Sequence, residues 1–370
     1  VDKALWEEFR MKAQFGYEQT FRIVPEEPGR GKKGPLDARN IEREFLGLEA
    51  SGRPLPKQGK EFRPIIVKFH YDNEPQKFEA VTNVGSAKQV ARWVVMFREL
   101  ATALAPEYPS TKTASFQGSH VLDLTSPFGG PMRKYTNTNG IHVNFSILFN
   151  GENGFENRAL QMHTIHGVKT LSEETTLMVA LYPNDYERYK ISGTHKPNYI
   201  GVTEGKDDKS LRVVDEGRLR PHKRRVEDRV PSSSANPYYA SLRVLVGMYL
   251  GLGENVALEQ DGEKPKLEVA PAEYGYLEKA AKSEGGLPAY LKSFFVAPKE
   301  VPVKEEAPLH VIPKDIGAAI EEFREGKILR ESLNELSMKY GEGSPVGDLV
   351  HAQVLQRARD NAHEGPTKSM

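Results

Sequence analysis

The stretch GIHVNFSIL, residues 140–148, constrains the fold of this chain more than any other. Read with a period of two, Ile141, Val143, Phe145 and Ile147 fall on one side of a strand. His142, Asn144 and Ser146 fall on the other, a row suited to holding a metal or a phosphate. A strand of this kind needs an apolar layer against one face and leaves the other face free for chemistry.

The pattern recurs. In AQFGYEQTFRIV (13–24), Glu18, Thr20 and Arg22 oppose Phe15, Tyr17, Phe21 and Ile23. Glu79 lies between Phe78 and Ala80 in FEAVTN (78–83), and Arg212 between Leu211 and Val213 in LRVV (211–214). In RRVEDRV (224–230), Arg225, Glu227 and Arg229 share a face, with Val226 and Val230 behind. IIVKFH (65–70) reads as a further strand. Taken singly, each is a half-exposed strand of an antiparallel sheet with solvated charges. Taken as one sheet, the five put carboxylates, a histidine and arginines in a common polar concavity. Oxygen ligands with one imidazole suit Mg²⁺ or Mn²⁺. Arginines beside a metal suit phosphate, because the planar guanidinium binds phosphate oxygens in pairs.

Helical spacing fills much of the remainder. In SAKQVARWVVMFRELATAL, Val90, Trp93, Val94, Phe97, Leu100, Ala101 and Leu104 form an apolar stripe, and Ser86 is the expected N-cap. Residues 1–13 predict a lead-in helix, 37–52 a second, and 155–170 and 172–182 two more. PYYASLRVLVGMYLGL (237–252) predicts a buried helix with Pro237 in its first turn, and KDIGAAIEEFREG one that buries Ile316, Ile320 and Phe323. Residues 25–36 and 106–139 read as loops and 297–313 as a Pro-rich connector. The last 30 residues, 341–370, read as a polar tail that frays.

Other chemistries are excluded or disfavoured. The absence of cysteine removes disulfides, zinc-thiolate sites and cysteine nucleophiles, and suits a reducing cytoplasm. Equal numbers of basic and acidic residues, 51 each, give no bulk attraction to nucleic acid or anionic membranes. The basic run GRLRPHKRR (217–225) has no aromatic platform beside it, so nucleic acid is not the expected partner. No apolar run approaches a membrane span and no signal-peptide pattern is present. PFGGPM (127–132) lacks the GK[ST] ending of a phosphate loop and reads as a turn. His163 and His166 sit on a mixed helix and read as surface or core histidines.

These residues resemble the catalytic domain of the glutamine synthetase superfamily. FGYEQTF is similar to the family's FG-x-EQE-[YF] strand, NTNGIHVNFSIL to its NG-x-G-x-H-x-[NQ]-x-S strand, and RRVEDRVPSSSANPYYA to its R-[IF]-E-x-R-x-P…NP-[YF] segment. HVIPKDIGAAIEEFREGKILRESL resembles its C-terminal helix region, so the likeness runs from about residue 14 to about 340. It implies an α+β fold, an antiparallel sheet curved into an open barrel with helices packed outside, as a catalytic-like domain over 1–340. It implies that Glu18, His142 and Glu227 bind the divalent ion that grips ATP phosphates. Glu79 and Asp72 match carboxylates of a second ion. Arg212, Arg225 and Arg229 match arginines around ATP and the transferred phosphoryl group. Asn144 and Ser146 lie on the nucleotide-facing strand, and Asn139 with Gly140 match the loop that touches the carboxylate substrate. The implied reaction phosphorylates a carboxylate with ATP, and an amine then displaces phosphate to give an amide. Homo-oligomers are usual in the family.

The departures from the family pattern are specific. EQE is EQT here, so Thr20 puts a neutral hydroxyl where the second ion has a charged ligand. In SGTHKPN, Lys196 stands where the family flap has the glutamate that attracts ammonium. At about 4 Å and an effective dielectric near 20, that like-charge term is about 4 kcal/mol, enough to remove an ammonium site. The arginine that clamps the substrate α-carboxylate is matched by Lys190, and Asp207 stands near the phosphates in KDDKSLR. The family's N-terminal β-grasp domain has no counterpart in this sequence, and the expected assembly is a homo-oligomer or a complex with a partner chain that replaces that domain. Two readings follow: an ATP- and Mg²⁺-dependent carboxylate–amine ligase acting on a pair other than glutamate and ammonia, with Lys196 serving its amine or an anionic group, or a catalytically impaired homologue used for binding, sensing or assembly.

Overall fold

A computed structural model describes residues 1–25, 66–71, 77–104, 120–123, 140–149, 151–190, 197–203, 209–214, 223–260, 310–341 and 343–363. The expected helix over 37–52, the turn at 127–132 and connector residues 297–309 lie outside them, as do Asp72, Asn139, Lys196 and Asp207.

The chain begins with α1 (Asp2–Phe9), shorter than the lead-in helix expected over 1–13. Arg10 ends it in the left-handed region at φ 57°, which turns the chain directly into β1 (Met11–Pro25). The other strands are β2 (Ile66–Tyr71), β3 (Lys77–Thr82), β4 (His120–Asp123), β5 (Ile141–Phe149), β6 (Glu152–Asn153), β7 (Tyr199–Thr203), β8 (Lys209–Val214), β9 (Arg225–Asp228) and β10 (His310–Val311). They form one unclosed sheet in the order β10-β7-β8-β9-β5-β1-β3-β2, with β4 on β1 and β6 on β5. All pairs are antiparallel except β7 with β8, which corrects the expectation of a purely antiparallel sheet. The physical reason is length. β7 has only five residues, so the chain must return only about 13 Å to start a parallel neighbour.

The helices are α2 (Ala87–Leu104), α3 (Arg158–Val179), α4 (Pro237–Gln260), α5 (Ile316–Glu325), α6 (Ile328–Tyr340) and α7 (Val346–His363). The two helices expected over 155–182 are one, α3, with a non-helical residue at Thr175. Thr175 and Ser172 turn their hydroxyls back onto the carbonyls of Leu171 and Val168, which satisfies them inside the buried helix. α3 and α4 touch backbone to backbone: a Cβ on Gly167 would overlap the main chain of Gly247 and Gly251. The segment expected as a fraying tail forms α7, which buries Val354 and Ala358 completely. Its inner face also carries Leu355 and the partly buried Val350, a short stripe set among polar residues.

The apolar alternation becomes the core. Tyr17, Ile141, Val143, Phe145, Ile147, Leu211, Val213 and Val226 join Val90, Val94, Leu171, Val244 and Met248 from the helices in one buried cluster. At about 25 cal/mol per Å² of apolar area, each such side chain contributes about 1.5–3 kcal/mol. Phe21, Phe78 and Phe97 extend it, with ring centroids 5.7 and 5.3 Å apart for Phe21 with Phe78 and Phe97. No helix of the described residues is long and apolar enough to cross a membrane.

Candidate metal and phosphate site

Register brings the polar side chains into rows. β5 lies between β1 and β9. Glu18 pairs with His142, Gly16 with Asn144, Asn144 with Glu227, and Glu227 with Arg212. Residues directly opposite on antiparallel strands point to the same face, so these groups share one side of the sheet. One ligand atom each from Glu18, His142 and Glu227 lies within 4.8 Å of the others. His142 Nδ1 is 2.7 Å from Glu227 Oε1 and 3.7 Å from Glu18 Oε2.

Each ligand is held by a further layer. Asn144 donates its Nδ2 to Glu18 Oε1 at 3.0 Å, and its Oδ1 accepts from Arg225 Nε at 2.9 Å. That fixes both the amide orientation and the Glu18 carboxylate. Glu227 is approached by Arg212 Nη1 and Arg229 Nε, both at 3.4 Å. Ser146 lies further along the row and donates to Gln14 Oε1 at 3.4 Å. Arg229 is fully buried beyond the end of β9, whereas the Arg212 side chain keeps 24% of its exposure.

The charges explain one another. Burial pushes the Glu227 carboxyl up, but the charge and hydrogen bond of His142, then Arg229 and Arg212, hold it well below the usual range. Glu18 is likewise penalised by burial and held down by its hydrogen bond to His142 and the imidazolium charge. Burial lowers His142, yet the charge of Glu227 and hydrogen bonds to both carboxylates raise it to about 9. A buried carboxylate, Glu227, and a half-buried one, Glu18, thus demand a cation between them, and in the metal-free protein the imidazolium supplies it. Two carboxylate oxygens and an imidazole nitrogen suit Mg²⁺ or Mn²⁺ at this point, with the imidazole then neutral. Arg212, Arg225 and Arg229 leave the site with more positive than negative charge, which favours a polyanion.

The remaining expected residues fall variously. Glu79 pairs opposite Thr20, on the same face as Glu18, and is not one of the three clustered donors. Thr20 is buried, and its hydroxyl is used by the main chain of Gly140, accepting from the amide at 2.7 Å and donating to the carbonyl. It is therefore not a free ligand. Lys190 is exposed and paired with Glu187. The buried cation of that turn is Arg188, which packs against Gly140. Sequence reasoning missed Arg188, Arg98 and Arg243. Arg98 donates to Gln19 Oε1 twice, at 3.0 and 2.8 Å, and to the carbonyls of Ser233 and Ala235. Arg243 is paired with Asp228, both wholly buried behind the site. The one available signal was an arginine inside an otherwise apolar helical stripe, as in LRVLVGM.

Comparison with known proteins bears on this geometry. Residues 61–292 match the family described as "Glutamine synthetase, catalytic domain". The matched span holds His142, Glu227 and the three arginines, and Glu18 precedes it. The chain is 27% identical over 348 residues to a glutamine synthetase of Methanococcus voltae, covering 89% of this chain and 65% of that protein. It is 27% identical over 203 residues to one of Pyrococcus abyssi, covering 53% of this chain and 38% of that protein. The chain therefore spans less than two thirds of either relative. A solved structure described as "GmaS/ADP complex-Conformation 1" superposes with a TM-score of 0.60 at 14% identity, covering 100% of this chain and 73% of that one. At that identity the likeness shows the fold alone.

Proposed function

The chain belongs to the glutamine synthetase catalytic-domain family, and on that premise we propose that it is an ATP-dependent carboxylate–amine ligase that works through an acyl phosphate. The observation that carries the reading is the convergence of Glu18, His142 and Glu227 within 4.8 Å on one sheet face, ringed by arginines. A divalent ion held by Glu18, His142 and Glu227 would neutralise phosphate oxygens and polarise the γ-phosphoryl group. Arg212 and Arg225, from neighbouring strands, draw in and orient the phosphates, and Arg229 keeps Glu227 ionised and aimed. Asn144 fixes Glu18, and Ser146 extends the same row toward the nucleotide. The structural relative with ADP supports a nucleotide in this fold.

The same reading has the unclosed sheet curving into an open barrel, polar side inward, within one catalytic-domain-like unit over residues 1–340. By the resemblance, Asn139 and Gly140 belong to the loop that touches the carboxylate substrate, and Glu79 and Asp72 match the carboxylates of a second, weaker ion. Glutamate with ammonia is not the pair we assign. By the resemblance, Lys196 stands where the family has the glutamate that attracts ammonium and would repel that cation, and the cation at the α-carboxylate position of the resemblance, Lys190, is exposed and paired with Glu187. A cytoplasmic protein, and assembly as a homo-oligomer or with a chain that completes the site, complete the proposal.

A phosphate-release screen tests it, using ATP, Mg²⁺ or Mn²⁺ and a panel of carboxylates crossed with amines. ADP formation that requires one carboxylate and collapses in Glu227→Gln supports the ligase. Nucleotide binding with no turnover across the panel supports the second reading, a sensing or assembly homologue, which Thr20 favours because its hydroxyl is already committed to Gly140.

A further inference from the structure

Three chain segments meet at Gly140, and each is two residues from a proposed metal ligand. Gly140 precedes His142 by two, Thr20 follows Glu18 by two, and Arg229 follows Glu227 by two. Thr20 grips Gly140 by its edge: the Thr20 amide donates to the Gly140 carbonyl at 3.0 Å, and the Thr20 hydroxyl closes a second pair of bonds with the Gly140 amide and carbonyl. The bare Cα of Gly140 is covered by Arg188. A Cβ there would lie 2.6 Å from Arg188 Nη2 and 2.8 Å from Nη1, so the guanidinium fills the space a side chain would need. That guanidinium, wholly buried, donates to the carbonyls of Arg229 at 3.0 Å and Val230 at 3.4 Å, and to that of Pro231. Ile141 closes the junction by donating its amide to the Pro231 carbonyl at 3.1 Å.

A buried guanidinium with carbonyl acceptors on one side and a glycine face on the other is a spacer of fixed thickness. Lysine cannot replace it, having neither the plane nor the fork. Valine at position 20 keeps the shape of threonine and loses the hydroxyl bonds. We infer that Thr20 and Arg188 are positioning residues that clamp Gly140 and thereby set the spacing of Glu18, His142 and Glu227, and with it the affinity for the divalent ion. This rests on the metal reading above. Second-layer partners of metal ligands typically control affinity by about 10–100-fold.

The test is Mn²⁺ titration of the full chain, wild type and variants, by the electron paramagnetic resonance signal of free Mn²⁺, with circular dichroism melts in parallel. Thr20→Val and Arg188→Lys are expected to weaken Mn²⁺ binding by about 10-fold or more, measured well below their melting temperatures. Thr20→Ser keeps the hydroxyl and is expected to stay within about 3-fold of wild type, a small part of that range. A purely structural role would lower the melting temperature and leave the affinity of the folded protein unchanged, so wild-type affinity in Thr20→Val and Arg188→Lys overturns the inference alone. Absence of Mn²⁺ binding by the wild type overturns the metal reading, and this inference with it. If Arg188→Lys does not fold, the contrast between Thr20→Val and Thr20→Ser decides.

Discussion

Substituting Glu227 by glutamine in the metal-free protein should drop the His142 pKa from about 9 to below the ordinary histidine value of 6.5. The magnitude follows from the contact. Glu227 Oε1 sits 2.7 Å from His142 Nδ1, and at an effective dielectric near 20 that attraction is about 6 kcal/mol, or about 4.5 pH units before compensation. The excess to be removed is about 2.5 units (9 less 6.5). Glu18 at 3.7 Å remains, but burial still opposes the imidazolium, and Arg212 and Arg229 lose their anion and repel it. The assay is a pH titration of the His142 ring by nitrogen-15 NMR after chelation of trace metal. The linkage has a definite sign. A histidine raised in the folded state stabilises the fold fully below pH 6.5, and that stabilisation is lost as pH rises through about 9. Wild type should therefore lose stability between those values and Glu227→Gln should not. A His142 ring in Glu227→Gln that still titrates near pH 9 would refute the assignment of Glu227 as the principal source of the shift.

Three further outcomes follow from the same contacts. Asp228→Ala leaves Arg243 charged and unpaired in the core, and should cost about 3–5 kcal/mol in urea unfolding, while Asp228→Ala with Arg243→Met should recover much of that loss. Glu174 accepts from the amides of Ile328 at 3.2 Å and Leu329 at 2.6 Å, capping α6 from another helix; Glu174→Ala should cost about 0.5–2 kcal/mol by the same denaturant assay and Glu174→Gln less. Burial and then His166 depress the His163 imidazole to about 3, so its protonation favours the unfolded chain. Stability should fall as pH drops from 6.5 toward 3, and His163→Gln should flatten that acid limb in thermal melts.

The site was legible where chemistry follows a strict period. Alternation placed Glu18, His142, Asn144 and Glu227 on polar faces because strand side chains repeat every two residues, and pairing then had only to set the register. What alternation cannot say is which strands are neighbours. The parallel pair β7 and β8, and the placement of β9 beside β5, are facts of topology. The buried arginines were illegible for a related reason. The buried Arg188 and Arg243, and the part-buried Arg98, are tolerated there only because distant carbonyls and carboxylates meet them. The same holds for Thr20, which reads as a weakened ligand in one dimension and as a main-chain clamp in three. α7 was missed because its inner face, Val350, Val354, Leu355 and Ala358, is short and stands among many polar neighbours.

The proposed function depends on one place in space, where Glu18, His142 and Glu227 converge, and anomalous diffraction addresses it directly. Crystals grown with Mn²⁺ and ADP, measured at the manganese edge, should show a peak about 2.0–2.3 Å from a carboxylate oxygen of Glu18, a ring nitrogen of His142 and a carboxylate oxygen of Glu227. A manganese peak elsewhere, with His142 still bridging the two carboxylates, would contradict the account.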